Sequence, residues 1–142
     1  MFFKAEARPL RIDLIDDDPT ECIFFEEAFE SQPRRYHLHY SNGADAALQR
    51  LEHHTPDLII MDVRMPRMSG LDALIEIRNR SSLDQTPVFM ISGSIVPQEQ
   101  EIALARGAHG IYKKPISPDG YSVLLTQILD EFSAARLARA LA

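Results

Sequence analysis

Four short apolar runs in this chain each end in residues able to handle acid, metal or phosphate chemistry. Asp16-Asp17 follow the run 10–15, Asp62 follows 58–61, Ser92 follows 88–91, and Lys114 follows 110–113. Carboxylates from separate segments brought to one rim repel each other, and repulsion raises their pKa values. A hard divalent cation relieves that repulsion. Mg²⁺ (or Mn²⁺ in its place) suits one or two carboxylates plus phosphate oxygens. A carboxylate can also attack phosphorus and form an aspartyl-phosphate. In such chemistry the protein chiefly positions groups and neutralises charge. Lys114 would place a second cation on the phosphoryl oxygens, and Ser92 would donate a hydrogen bond to one of them.

The elements that must position these residues are legible from patterning. Short apolar runs alternate with longer amphipathic ones, as in a parallel sheet flanked by helices. The spacing predicts strands over 10–15, 36–40, 58–61, 88–91 and 110–113. The run 58–61 is apolar on both faces, as a central parallel strand must be. Asp18 is placed to cap a helix with Pro19 at its first position, and Glu21 three residues on completes a capping box. Ile23, Phe24, Phe25, Ala28 and Phe29 give that helix its apolar face. Further helices are expected over 44–51, 71–80 and 98–105, the last ended by Gly107. A fifth runs from about Pro118 through Phe132 and on toward Leu141. Five strands and five helices in alternation imply a doubly wound α/β sheet. In such sheets the ligand site lies beyond the carboxyl ends of the strands, where strand order reverses, and the chemistry-bearing residues occupy those ends.

Composition narrows the function classes. The chain has 142 residues, suiting one domain that buries a core without disulfides. The lone Cys22 excludes an internal disulfide and agrees with a reducing compartment. A net charge of −6 and scattered arginines argue against a nucleic-acid surface. No apolar run approaches the ~20 residues that span a bilayer, and no apolar stretch follows Lys4 as in a signal peptide. The cytoplasm is the expected location.

Four segments carry a family resemblance. They are Leu14-Ile15-Asp16-Asp17-Asp18-Pro19, the stretch Ile60-Met61-Asp62-Val63-Arg64-Met65-Pro66-Arg67-Met68-Ser69-Gly70, then Met90-Ile91-Ser92-Gly93, and Gly107-Ala108-His109-Gly110-Ile111-Tyr112-Lys113-Lys114-Pro115. Together, and with Ser92 thirty positions after Asp62, the chain resembles a single-domain, chemotaxis-regulator-like receiver domain of two-component response regulators. The resemblance covers residues from about 8 to 132. It implies a flavodoxin-like fold of strand order 2-1-3-4-5, with residues 1–8 as an N-terminal extension, 9–132 as the domain and 133–142 as an extension of the last helix. It implies that Asp62 is the phosphoacceptor, Asp17 a direct metal ligand and Asp16 its neighbour acting partly through water. It further implies that the Arg64 backbone carbonyl completes the coordination, that Ser92 is the switch hydroxyl, that Lys114 contacts the phosphoryl group, and that Lys114-Pro115 is a cis peptide. The expected partners are a histidine kinase or histidine phosphotransfer protein, plus a downstream protein target reached through helix 4, strand 5 and helix 5.

In one place the sequence departs from that pattern. Many chemotaxis-type receivers carry an aromatic three residues before the lysine; here that residue is Ile111, with Tyr112 beside it. No rotating tyrosine is therefore expected. The other polar residues have plainer readings: His37, His39, His53, His54 and His109 lack metal-ligand spacing, and Lys113 reads as a surface charge. Leu137 and Leu141, four apart, could line a dimer face. Because about one helix follows the fifth strand, output is expected through protein contacts. The alternative is a receiver-like interaction module that works without phosphorylation. Phosphatase and flavin-carrier readings fail on Arg64, where a second Asp would be needed, and on three aspartates that would repel a flavin phosphate.

Overall fold

The computed structural model describes residues 8–142, so the expectation for residues 1–7 lies outside the described residues. The elements are β1 Leu10–Ile15, α1 Pro19–Glu30, β2 Tyr36–Ser41, α2 Ala44–Arg50, β3 Leu58–Asp62, α3 Gly70–Arg78, β4 Val88–Ser92, α4 Pro97–Ala105, β5 Gly110–Lys113 and α5 Gly120–Leu141. A single 3₁₀ turn, Ser81–Leu83, joins α3 to β4. The five strands form one parallel sheet in the order β2-β1-β3-β4-β5. The doubly wound expectation holds, strand order included.

Alternating strand residues feed two cores. Ile15, Ile59, Met61, Val88, Met90 and Ile111 pack beneath α2, α3 and α4. Ile12, Leu14, Leu58, Ile60, Phe89 and Ile91 pack beneath α1 and α5. Every residue of β3 and β4 is buried, as strands covered on both faces require. Ile111 and Tyr112 consequently point to opposite faces. Tyr112 lies on the α5 side, where its hydroxyl donates to the Glu131 carboxylate.

Three local expectations need correction. The α1 cap forms through Asp18, whose Oδ1 accepts from Thr20 N at 3.0 Å, but the reciprocal half of the capping box does not. Glu21 is buried, and its carboxylate accepts from the Tyr121 hydroxyl at 2.6 Å, so it is not free to turn back on the cap. Ile23 is 53% exposed. At about 100° per residue it lies nearly opposite Phe25, so it leaves the buried face formed by Phe25, Ala28 and Phe29. Lys114-Pro115 is trans, since the described residues contain no cis peptide bond. The X-Pro isomers differ by only ~1 kcal/mol, and the trans chain still lets Lys114 N reach Ser92 O at 2.8 Å.

Gly107 ends α4 as expected, with φ +97 and the bond Ala108 N to Ala103 O at 2.9 Å. Against it lies Arg78, which donates to the carbonyls of Gly107 at 3.1 Å, Leu83 at 2.9 Å and Thr86 at 2.8 Å. One guanidinium thus ties α3 to two loops at the amino ends of β4 and β5. Arg78→Ala leaves three carbonyls short of a donor and is expected to destabilise the fold by about 1–3 kcal/mol. A urea midpoint that falls without a change in slope is the confirming readout. An unmoved midpoint would show that water replaces the arginine at little cost.

Helix α5 continues unbroken to Leu141. Arg136 Nη2 lies 3.5 Å from Asp57 Oδ1, and its guanidinium sits 5.1 Å from the Phe132 ring centroid. Asp57 also takes Arg8 at 2.6 Å. Beyond these contacts Leu137 and Leu141 are exposed.

Candidate functional site

The carboxyl ends of β1, β3, β4 and β5 meet at one rim. Asp16 directly follows β1, its amide donating to Ser41 O across to β2 at 3.1 Å. Asp62 closes β3, beside β4, with Asp62 opposite Ile91. Asp16, Asp17 and Asp62 each offer a carboxylate oxygen within 4.8 Å of the others. Asp16 and Asp62 are buried, while Asp17 is exposed. Lys114 reaches back from the end of β5, placing Nζ 2.9 Å from Asp16 Oδ2 and 3.3 Å from Asp62 Oδ2. The four side chains come from segments nearly a hundred residues apart.

Two features hold Asp62 in place. The Arg64 amide approaches its Oδ1 at 3.4 Å, and the first turn of α3 presses on its backbone. Gly70 N donates to Val63 O at 2.8 Å. A Cβ built on Gly70 would stand 2.0 Å from Asp62 O and 2.9 Å from Met90 Cε, so a side chain has no room there. Between Asp62 and α3 the chain turns tightly through Arg67, whose φ of +70 is unusual for a residue other than glycine. Met68 N donates to Pro66 O across that turn at 2.8 Å.

The electrostatics are those of a crowded acidic pocket. Burial, then the neighbouring Asp16 charge, push the Asp62 carboxyl up to about 6, and Lys114 only partly opposes them. Burial raises Asp16 as well. Burial pulls the Lys114 ammonium down, but Asp16 and Asp62 outweigh it, so its pKa lies above the ordinary lysine value. Asp16 Oδ2 is buried, and the partner beside it is the Lys114 ammonium at 2.9 Å. Three carboxylates at one rim, with a single ammonium spanning two of them, fit a hard cation.

Ser92, 1% exposed, is engaged away from Asp62. Its Oγ donates to Ser94 O at 2.7 Å and accepts from Arg64 Nη1 at 2.6 Å. Arg64 Nη2 continues to Glu99 Oε1, in the first turn of α4, also at 2.6 Å. From the sequence, Arg64 is expected to lend its backbone carbonyl to the metal and to flank the pocket. Its guanidinium bridge to Glu99 was not legible, because an acidic residue early in a helix ordinarily reads as a partner of the helix dipole. Glu21 was missed likewise. Buried beside Tyr121, with the Lys114 and Asp16 charges in its surroundings, its carboxyl is raised mainly by burial.

Comparison with known proteins agrees with this geometry. A family model described as the response regulator receiver domain matches residues 12–125. The Regulator of RpoS from Escherichia coli K12 is 45% identical over 76 residues, which are 54% of this chain and 22% of that protein. The Synechocystis Response regulator Rre1 is 25% identical over 125 residues, 87% of this chain and 53% of that protein. This chain thus spans about half or less of the length of these relatives. Among solved structures, the chemotaxis response regulator CheY4 of Vibrio cholerae superposes with a TM-score of 0.74 at 23% identity, over 85% of this chain and 99% of that one. No described helix is long and apolar enough to cross a membrane. With its strand order, its acidic rim and the matched span all in agreement, the chain belongs to the response regulator receiver domain family.

Proposed function

We propose that this receiver domain accepts a phosphoryl group on Asp62 from a histidine kinase or histidine phosphotransfer protein and thereby switches a protein-binding face. The observation that carries this reading is the Lys114 ammonium spanning Asp16 and Asp62 at 2.9 and 3.3 Å inside the three-carboxylate cluster. A carboxylate oxygen of Asp62 attacks the phosphorus of a phosphohistidine. The O–P bond forms as the P–N bond breaks, and the electron pair returns to the imidazole, which takes a proton from solvent. Hydrolysis later returns the carboxylate and inorganic phosphate.

Asp16, Asp17, Asp62 and the Arg64 backbone carbonyl would hold Mg²⁺ or Mn²⁺, which when bound supplies positive charge against the phosphoryl oxygens. Lys114, already held by Asp16, supplies a second positive charge for the phosphoryl oxygens. Ser92 must give up Ser94 O before it can donate to a phosphoryl oxygen. The domain is a signalling module whose chemistry serves its own modification. The proposed output face is α4–β5–α5, where Ile102 and Val123 are exposed; it is also the proposed homodimer face. The phosphorylation-independent reading loses ground because three carboxylates and the Lys114 ammonium share one rim.

Incubation with a small phosphodonor such as acetyl phosphate tests the reading. One phosphoryl group per chain is expected in Mg²⁺, with labelling lowered roughly a hundredfold by a chelator or by Asp17→Asn. Labelling indifferent to both would refute the metal-assisted reading.

A further inference from the structure

We propose that Arg64 is a charge-operated latch. At rest its guanidinium holds the Ser92 hydroxyl and, through Glu99, the first turn of α4; a phosphoryl group on Asp62 draws the guanidinium off and frees both. The inference rests on the phosphoacceptor reading and adds to it a named route from Asp62 to the output face.

The resting bonds are short and complementary. Arg64 Nη1 donates to Ser92 Oγ and Nη2 to Glu99 Oε1, both at 2.6 Å, and Nη1 also lies 3.4 Å from Ser94 O. Ser92 has spent its one proton on Ser94 O at 2.7 Å. Its hydroxyl therefore cannot serve a phosphoryl oxygen until this arrangement breaks. The same arginine donates its backbone amide toward Asp62 Oδ1, so its side chain starts at the edge of the pocket.

Helix α4 is built to respond to that one bridge. It buries a single side chain, Ala103, and its N-cap Val96 gives no side-chain hydrogen bond. Among the described residues, Glu99 is the only α4 side chain with a hydrogen bond. The far end is fastened separately: Arg106 donates to Leu71 O at 2.8 Å and pairs with Asp72 at 3.3 Å. Loss of Glu99–Arg64 would therefore loosen the first turn of α4 while Arg106 keeps the last turn on α3, so the helix pivots.

Charge supplies the trigger. An acyl phosphate adds up to about two negative charges at Asp62. A guanidinium binds such an oxyanion through two parallel charge-assisted hydrogen bonds, stronger than one carboxylate contact at a half-exposed site. Since Glu99 and the phosphoryl group compete for one cation, each weakens the hold of the other by the same factor.

The test uses the whole chain, Mg²⁺, and beryllofluoride as the phosphoryl probe. It reads amide hydrogen exchange over residues 97–105 together with probe affinity. At rest, Glu99→Gln and Arg64→Met should each speed exchange in the first turn of α4 about tenfold, and the probe should do the same to the wild type, as local opening allows. Glu99→Gln should bind the probe roughly five times more tightly, a modest allosteric coupling. In the Arg64→Met background the Glu99 substitution should change nothing. A general electrostatic effect of removing the Glu99 charge would survive in that background and would overturn the latch. So would α4 exchange unchanged in Glu99→Gln, a variant that leaves the pocket intact. A wild type that binds no beryllofluoride would overturn the phosphoacceptor reading and the latch with it.

Discussion

Asp62→Asn is expected to make the metal-free protein more stable while abolishing its labelling, two large effects of opposite sign from one atom change. The Asp62 carboxyl is raised from 3.8 to about 6 by burial and by Asp16. Folding therefore favours its protonated form, and the folded state holds more protons than the unfolded state between about pH 4 and pH 6. In that window stability falls as pH rises. Above it the full penalty of burying the charge remains. About two pKa units correspond to roughly 3 kcal/mol, and coupling to Asp16 makes a gain of about 1–3 kcal/mol the reasonable expectation for Asn at pH 7.5. Urea unfolding in chelator should show that gain, narrowing as pH falls from 6 toward 4. Added Mg²⁺ should stabilise the wild type more than the variant, because binding to the folded state adds RT ln(1 + [L]/Kd). A variant less stable than wild type at pH 7.5 without metal would contradict the electrostatic account.

Gly70→Ala is expected to damage both fold and site, although no polar group is lost. The new Cβ would fall 2.0 Å from the Asp62 carbonyl oxygen and 2.9 Å from Met90 Cε. Met90 can adjust a flexible end; the Asp62 backbone cannot move without displacing the carboxylate it carries. Overpacking of this kind costs about 1–3 kcal/mol or more, partly offset by the better helix propensity of alanine, about 1 kcal/mol. The expected signature is a lowered urea midpoint together with labelling slowed at least tenfold, since small misplacements of reacting groups are costly. Ser69→Ala, one residue away, removes only the cap in which Ser69 Oγ accepts from Asp72 N and should lower stability by about 1 kcal/mol without slowing labelling of the folded protein. Equal labelling in Gly70→Ala and wild type would show that α3 can shift without disturbing Asp62.

The sheet was legible because β3 and β4 are continuous apolar runs bounded by turn residues, a pattern that burial on both faces demands. The chemistry was legible for a related reason. Asp16, Asp62, Ser92 and Lys114 each end a strand, so a doubly wound topology alone brings them to one rim. What remained hidden depends on which side chains meet across the fold. Glu21 has the spacing of a capping residue, and only the packing of α1 against α5 reveals that Tyr121, a hundred residues on, takes its carboxylate. Arg64 and Glu99 lie 35 positions apart on a loop and a helix, and neither has a local pattern that points to the other. The Lys114–Pro115 isomer is a nearly balanced local choice, which the sequence does not decide.

The whole account turns on which atom carries phosphate. The chain should be treated with acetyl phosphate and Mg²⁺, and the acyl phosphate trapped and mapped by tandem mass spectrometry. The result predicted is a single modified residue, Asp62, with Asp16 and Asp17 unmodified. Modification at another residue with Asp62 left free, or none in any condition that labels a known receiver in parallel, would contradict it.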